Sequence, residues 1–286
     1  MKILRGTGVA LVTPFTANGE VDYNGLKSLL AYTGGHVDYF VVLGTTGETA
    51  TLNKEEKANV LAFVKANNLK KLPIVLGIGG NNTAQVIQDI QEADLDGVTA
   101  ILSVSPYYNK PSQAGIFAHY TAIANASSLP IILYNVPGRT MSNISPETTL
   151  KLSQHKNIIG IKEACGDLEQ TGKIAAQKSD DFMLISGEDL VTAPMIEQGA
   201  IGVISVLANG FPKEFSEVSR RALSNDKEGA MSASSYFDEI NPLMYEESNP
   251  VGVKEVLRLK GVCGNNVRLP LLPASEGLRK KISQLL

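Results

Sequence analysis

The chain has 286 residues, of which 43% are hydrophobic and 19% charged, with a net charge of −3 and an isoelectric point of about 5.7. This length suits one large α/β unit with an extensive core. The mild acidity and the lack of any Lys/Arg-rich run leave no electrostatic footprint for a nucleic acid or an anionic membrane surface. The two cysteines, Cys165 and Cys263, belong to no CxxC pattern, so a disulfide framework is not expected and a reducing cytoplasm is the expected compartment.

The opening Met1-Lys2-Ile3-Leu4-Arg5 carries a second positive charge where the apolar stretch of a signal peptide would begin, and Pro14 interrupts the apolar run that follows. It reads as a first strand, not a signal. No apolar stretch approaches bilayer-spanning length. Eight short β-branched runs then recur, at 8–12, 39–43, 73–77, 98–102, 130–134, 158–162, 182–185 and 202–206. They are nearly continuous in apolar character, as parallel strands buried on both faces must be. Helical patterns fill the gaps. Asn53 with Glu56 has the spacing of a capping box, and Ser145-Pro146 supplies a cap followed by proline at the first helical position. Eight alternations predict an α/β fold of the (β/α)₈ TIM-barrel type, with a doubly wound open sheet as the alternative. After residue 210 the strand signal stops and prolines 242, 250 and 270 punctuate a helical pattern. The expected division is therefore a catalytic barrel, 1–210, and a C-terminal helical region, 211–286, packed on it.

Catalytic groups of such barrels lie at the C-terminal ends of the strands and in the loops that follow. Lys162 follows Ile158-Ile159-Gly160-Ile161, inside an apolar frame that penalises a charged amine; a neutral amine is the nucleophile that attacks a ketone. The alternative is a solvated strand-end lysine paired with Glu163. Lys110, in a turn between Asn109 and Pro111, is the weaker candidate. Tyr134 ends the neighbouring strand, where a phenol can relay protons or simply fill a half-buried barrel position. Thr45 and Thr46 offer hydroxyls and backbone N–H groups to a small carboxylate, or form an ordinary strand-end turn. Arg139 can clamp a carboxylate through two parallel bonds or pair with a surface acid. Gly77-Ile78-Gly79-Gly80-Asn81-Asn82 lacks the last glycine of a dinucleotide fingerprint. Gly199-Ala200-Ile201-Gly202 has no basic residue to suit a phosphate site. His36, His119 and His155 share no metal-ligand spacing, and Glu163, Glu188 and Asp189 have nothing to fix them around a metal.

Taken together, Gly44-Thr45-Thr46-Gly47-Glu48, the Tyr107-Tyr108 pair, Tyr134-Asn135-Val136-Pro137, Gly160-Ile161-Lys162-Glu163 and Asn249-Pro250-Val251-Gly252-Val253-Lys254 closely resemble the pyruvate-dependent class I aldolase group. That group includes the dihydrodipicolinate synthases and N-acetylneuraminate lyases. The resemblance covers most of the chain and favours the synthase branch. The strand 2 loop reads Thr45-Thr46 where the lyases usually have Ser-Thr, and Gly138-Arg139-Thr140 supplies an arginine suited to a carboxylate-bearing aldehyde. The resemblance implies a lyase that condenses pyruvate with L-aspartate 4-semialdehyde in lysine and diaminopimelate biosynthesis. A sister aldolase acting on sialic acid or a 2-keto-3-deoxy sugar is the alternative.

By the same resemblance, Lys162 forms the imine, and Thr46, the Ile204 backbone and Gly187 belong to the substrate site. Tyr134, Thr45 and Tyr108 form a proton relay, Tyr108 reaching in from a partner subunit. Arg139 binds the semialdehyde. No metal or organic cofactor is implied, and the assembly implied is a homotetramer built as a dimer of dimers. Where lysine-inhibited bacterial members place two histidines and a glutamate, this chain has Lys54, Lys57 and Gln85, with Asn81 and Tyr107 retained. Two added positive charges and a lost carboxylate predict weak or no inhibition by L-lysine.

Overall fold

The computed structural model describes residues 2–286; Met1 lies outside the described residues. Lys2–Leu4 forms a short 3₁₀ turn, and the first strand begins at Gly6, two residues ahead of the run expected at 8–12. The strands are β1 (Gly6–Ala10), β2 (Tyr39–Val42), β3 (Ile74–Gly77), β4 (Ala100–Val104), β5 (Ile131–Asn135), β6 (Ile158–Glu163), β7 (Met183–Ser186) and β8 (Gly202–Ser205). They pair in sequence order, all parallel, and β1 also pairs with β8, so the sheet closes into a barrel. An open doubly wound sheet is excluded.

Side chains alternate between two cores. Val9, Phe40, Val42, Leu133, Ile161 and Leu184 face outward to the helices. Tyr39, Val41, Val75, Ile132, Met183 and Ile204 fill the barrel interior. Tyr39 is wholly buried and donates to the Val203 carbonyl at 3.2 Å; its ring takes the space a Cβ on Gly8 would need, 2.2 Å away. This layer closes the barrel's lower part, so only the C-terminal mouth is free for chemistry.

A bulge in β6 sets which residues reach that mouth. Ile131 pairs with Ile158, but Ile132 pairs with Gly160, and the extra residue shifts the pleat by one. Lys162 consequently lies opposite Tyr134 on one side and Ile185 on the other, sharing their inward face.

The connecting helices begin where short polar side chains cap them. Asn53 and Glu56 form the reciprocal capping box at Lys54–Asn67, and Ser145 caps Pro146–Leu152 with Pro146 in the first turn, as anticipated. The helix completing the eighth unit, Pro212–Leu223, packs on β1 and β8 and lies beyond residue 210, where the barrel was expected to end. The chain continues through Lys227–Ser235, Ile240–Leu243, Val251–Leu259 and Glu276–Ser283. Val251–Leu259 is buried almost throughout and packs on the turn after β8, which places this appended region over the barrel's C-terminal rim. Among the described residues, no helix is long and apolar enough to cross a membrane.

Candidate active site

The lysine of β6 is enclosed. Lys162 is 6% exposed, and its Nζ lies 4.3 Å from the centroid of the Tyr134 ring, itself buried. A phenol and an amine at this distance are within reach of a shared proton acceptor on a substrate. The pairing of Lys162 with Glu163 weighed from sequence does not occur, because consecutive strand residues point to opposite faces. Glu163 turns outward and accepts from Asn135 Nδ2 (2.9 and 3.0 Å), Gln170 Nε2 (3.0 Å) and the Cys165 N–H (2.9 Å). Burial raises its carboxyl above the usual range, and these amides oppose that rise. Lys110 is exposed in its turn.

Gly187 lies beside the lysine stem. Its N–H donates to the Glu163 carbonyl at 2.7 Å, and a Cβ there would meet Lys162 Cε at 2.9 Å. The next two residues are acids with different surroundings. Burial raises Glu188, opposed by the nearby charge of Lys162. Asp189 accepts from the Val206 and Leu207 N–H groups (3.1 and 2.8 Å), its Oδ1 has no partner, and burial pushes it up to about 7. Glu163 and Asp189 thus serve different hydrogen-bond sets, and among the described residues no group of acids, histidines and cysteines is placed to hold a metal ion.

The loop after β2 winds through Thr45–Gly47, reverses at Glu48 in a left-handed conformation (φ 52°), and continues through Thr49–Thr51. Thr45 is half-buried; Thr46 is buried, and its Oγ1 accepts a bond from Asn249 Nδ2 at 3.0 Å. Glu48 forms an ion pair with the fully buried Lys254 and accepts from the Arg268 N–H at 3.1 Å. Burial pulls Lys254 down while Glu48 opposes it. The Arg268 guanidinium reaches on to both oxygens of Glu56 and to the Gly19 and Thr51 carbonyls.

A cleft of about 810 Å³ opens over this rim. Thr45, Tyr134, Arg139 and Asn249 line one part of it, and Lys54, Lys57 and Gln85 another. Arg139 stands exposed on the short helix Pro137–Thr140, while Ile204 is buried in the barrel-interior cluster that also holds Tyr134 and Ile185. The structure therefore brings Lys162, Tyr134 and Gly187 together at the barrel mouth, while Thr45, Tyr134 and Arg139 line the cleft and Thr46 is tied to Asn249 in that lining. Lys162, Gly187, Thr46 and Ile204 do not themselves line it, and Ile204 shares the barrel-interior cluster with Tyr134. Tyr108 is not among them: it is 88% exposed with φ 72°, and its neighbour Tyr107 lines the cleft instead.

The charge picture around Lys54 also differs from the sequence argument. Lys54 is paired with Glu92, and Gln85 donates to Asp89 at 2.9 Å, so carboxylates answer part of the added positive charge. Sequence reasoning gave no role to Asn249, Lys254 or Arg268. The only signal was the stretch from Asn249 to Lys254, which carries resemblance but no recognisable chemistry of its own.

A parallel eight-stranded barrel with a buried lysine against a tyrosine at its C-terminal mouth defines a class I aldolase-type lyase. Residues 3–286 match the Dihydrodipicolinate synthetase family, and the chain belongs to that family. It is 51% identical to the 4-hydroxy-tetrahydrodipicolinate synthase of Cytophaga hutchinsonii, over 99% of this chain and 96% of that protein. Its fold matches the chloride-inhibited dihydrodipicolinate synthase of Acinetobacter baumannii complexed with pyruvate, with a TM-score of 0.95, 37% identity, and 99% and 97% of the two chains covered. A monomeric dihydrodipicolinate synthase variant matches with a TM-score of 0.93, 36% identity, and 99% and 96% coverage.

Proposed function

We propose that this enzyme condenses pyruvate with L-aspartate 4-semialdehyde to 4-hydroxy-tetrahydrodipicolinate, serving lysine and diaminopimelate biosynthesis. The observation that carries the mechanism is the enclosed amine of Lys162 against the Tyr134 ring. Lys162 attacks the pyruvate ketone, water leaves, and an imine forms. Loss of a proton from the methyl group gives an enamine, whose carbon attacks the aldehyde of the second substrate. The amino group of that substrate then displaces Lys162 and closes the ring.

Tyr134, Thr45 and the Tyr108 of a second copy relay the protons. The Thr46 hydroxyl and the Ile204 backbone hold the pyruvate carboxylate, with Gly187 leaving room for the imine. Arg139, at the mouth beside Tyr134, takes the semialdehyde carboxylate. No metal or organic cofactor is required, because the protonated imine is the electron sink. The assembly proposed is a homotetramer built as a dimer of dimers; the exposure of Tyr108 is compatible with that side chain being supplied across an interface. The cytoplasm is the compartment proposed.

Arg139 argues against a sugar-acid lyase, whose acceptor aldehyde is an uncharged polyol tail that gives a guanidinium no ionic partner. Borohydride reduction in the presence of pyruvate, followed by peptide mass analysis, should mark Lys162, and Lys162→Ala should abolish both the label and turnover. Condensation with aspartate semialdehyde and none with N-acetylmannosamine is the expected acceptor preference. An unlabelled Lys162, or full turnover in the alanine variant, refutes the proposal.

A further inference from the structure

The appended helical region contacts the β2 loop at the point where the keto-acid carboxylate is proposed to bind. Asn249 is 6% exposed and lines the cleft. Its Nδ2 donates to Thr46 Oγ1 at 3.0 Å, while its Oδ1 is buried and has no partner within the chain. A buried side-chain amide that served only to brace the fold would have both ends bonded, because an unpaired buried acceptor is costly. Here only the end facing Thr46 is used.

A threonine hydroxyl has one proton and two lone pairs. An amide N–H on one lone pair turns the hydroxyl proton away from Asn249, so the hydroxyl meets a substrate as a donor. The backbone behind it is immobilised from the same segment. Lys254, one turn further on, is fully buried, ion-paired with Glu48 and bonded to the Asn266 carbonyl at 2.8 Å, and its Nζ lies 4.3 Å from the Phe15 ring centroid. Arg268 completes the brace through Glu48 and Glu56.

We propose that Asn249 is a positioning residue for the keto-acid carboxylate: it acts through Thr46, fixing that hydroxyl as a donor to the substrate anion, and its free Oδ1 is kept for an N–H or water brought in with the substrate. This rests on the pyruvate-imine reading above. The bond this hydroxyl makes is to a charged group and so is among the stronger ones, and loss of the orienting amide should raise the half-saturating pyruvate concentration about tenfold.

The experiment is borohydride trapping on the full-length enzyme across a pyruvate titration, with steady-state kinetics and thermal midpoints measured in parallel. Asn249→Ala should change KM for pyruvate more than kcat, and should have a clearly smaller effect in a Thr46→Val background. Asn249→Asp keeps the side-chain shape, offers Thr46 only an acceptor and places a negative charge beside the carboxylate; it should raise KM further still, and it carries the test if the alanine variant melts early. Equal effects of Asn249→Ala with threonine or valine at position 46, or unchanged pyruvate affinity in the aspartate variant, overturn the assignment. Failure of the unmodified enzyme to trap pyruvate at Lys162 overturns the parent reading, and this one with it.

Discussion

Alanine in place of Gly187 should slow imine formation without unfolding the barrel. The added Cβ would sit 2.6 Å from Ala164 Cβ, 2.9 Å from Lys162 Cε and 3.1 Å from the Glu163 carbonyl oxygen. Of these, the far end of the lysine stem yields most easily, since the other two belong to backbone or to a side chain fixed at its root. The Ala164 contact is relieved only by a local backbone shift at 164 or 187, and the lysine stem is displaced along with it. Overpacking of this kind costs roughly 1–3 kcal/mol of stability, and a misplacement of about 1 Å at a reacting centre costs about 100-fold in rate. Gly160→Ala provides the contrast: its Cβ would meet the Met183 carbonyl oxygen at 2.6 Å and Met183 Cβ at 2.8 Å, so β6 and β7 must part and the loss is of fold. Single-turnover borohydride trapping, with thermal midpoints recorded for both variants, separates the two effects. A folded Gly187→Ala variant that traps pyruvate at the rate of the unmodified enzyme refutes the claim that this glycine makes room for the lysine.

Arg139→Ala should raise KM for the semialdehyde about tenfold or more while pyruvate still labels Lys162; equal losses for both substrates contradict a role confined to the acceptor. L-Lysine should inhibit turnover weakly or not at all, because Lys57 and Lys54 line the relevant part of the cleft; strong inhibition at low concentration would show that Asp89 and Glu92 have restored a site for a cation. Asp189 has a folded-state value of about 7 against an ordinary 3.8. The stability tied to its protonated form is fully present below about 4 and is lost as pH rises to about 7. Asp189→Asn, which can still accept from Val206 and Leu207, should gain stability relative to the parent by about 1 kcal/mol or more between pH 5 and pH 8. Denaturant melts at the two pH values test this, and a pH-independent difference refutes it.

The barrel was legible because parallel strands buried on both faces leave runs of β-branched residues with polar or glycine ends, and each expected run lies within two residues of an observed strand. Boundaries were less legible. The fourth run was placed at 98–102, yet pairing starts at Ala100 because Gly97, at φ 68°, still belongs to the turn. The residues around Lys162 were readable from the rule that strand ends carry the chemistry, but the outward turn of Glu163 depended on a pleat parity set by the β6 bulge. Asn249, Lys254 and Arg268 were unreadable for another reason: no local period marks a partner more than 200 positions away. Tyr108 shows the remaining limit, since one chain presents it to solvent and gives it no partner in the cleft.

The brace on the β2 loop has a consequence for how the protein is made. Thr46–Asn249, Glu48–Lys254 and Glu48–Arg268 close sequence separations of 203, 206 and 220 residues. Synthesis runs from the N-terminus, and contacts of such span are the last to become available. A nascent chain can have all eight strands made and yet lack the grip on its β2 loop. On the reading proposed above, competence to capture a keto acid arrives only after residues 249–268 have been made and docked.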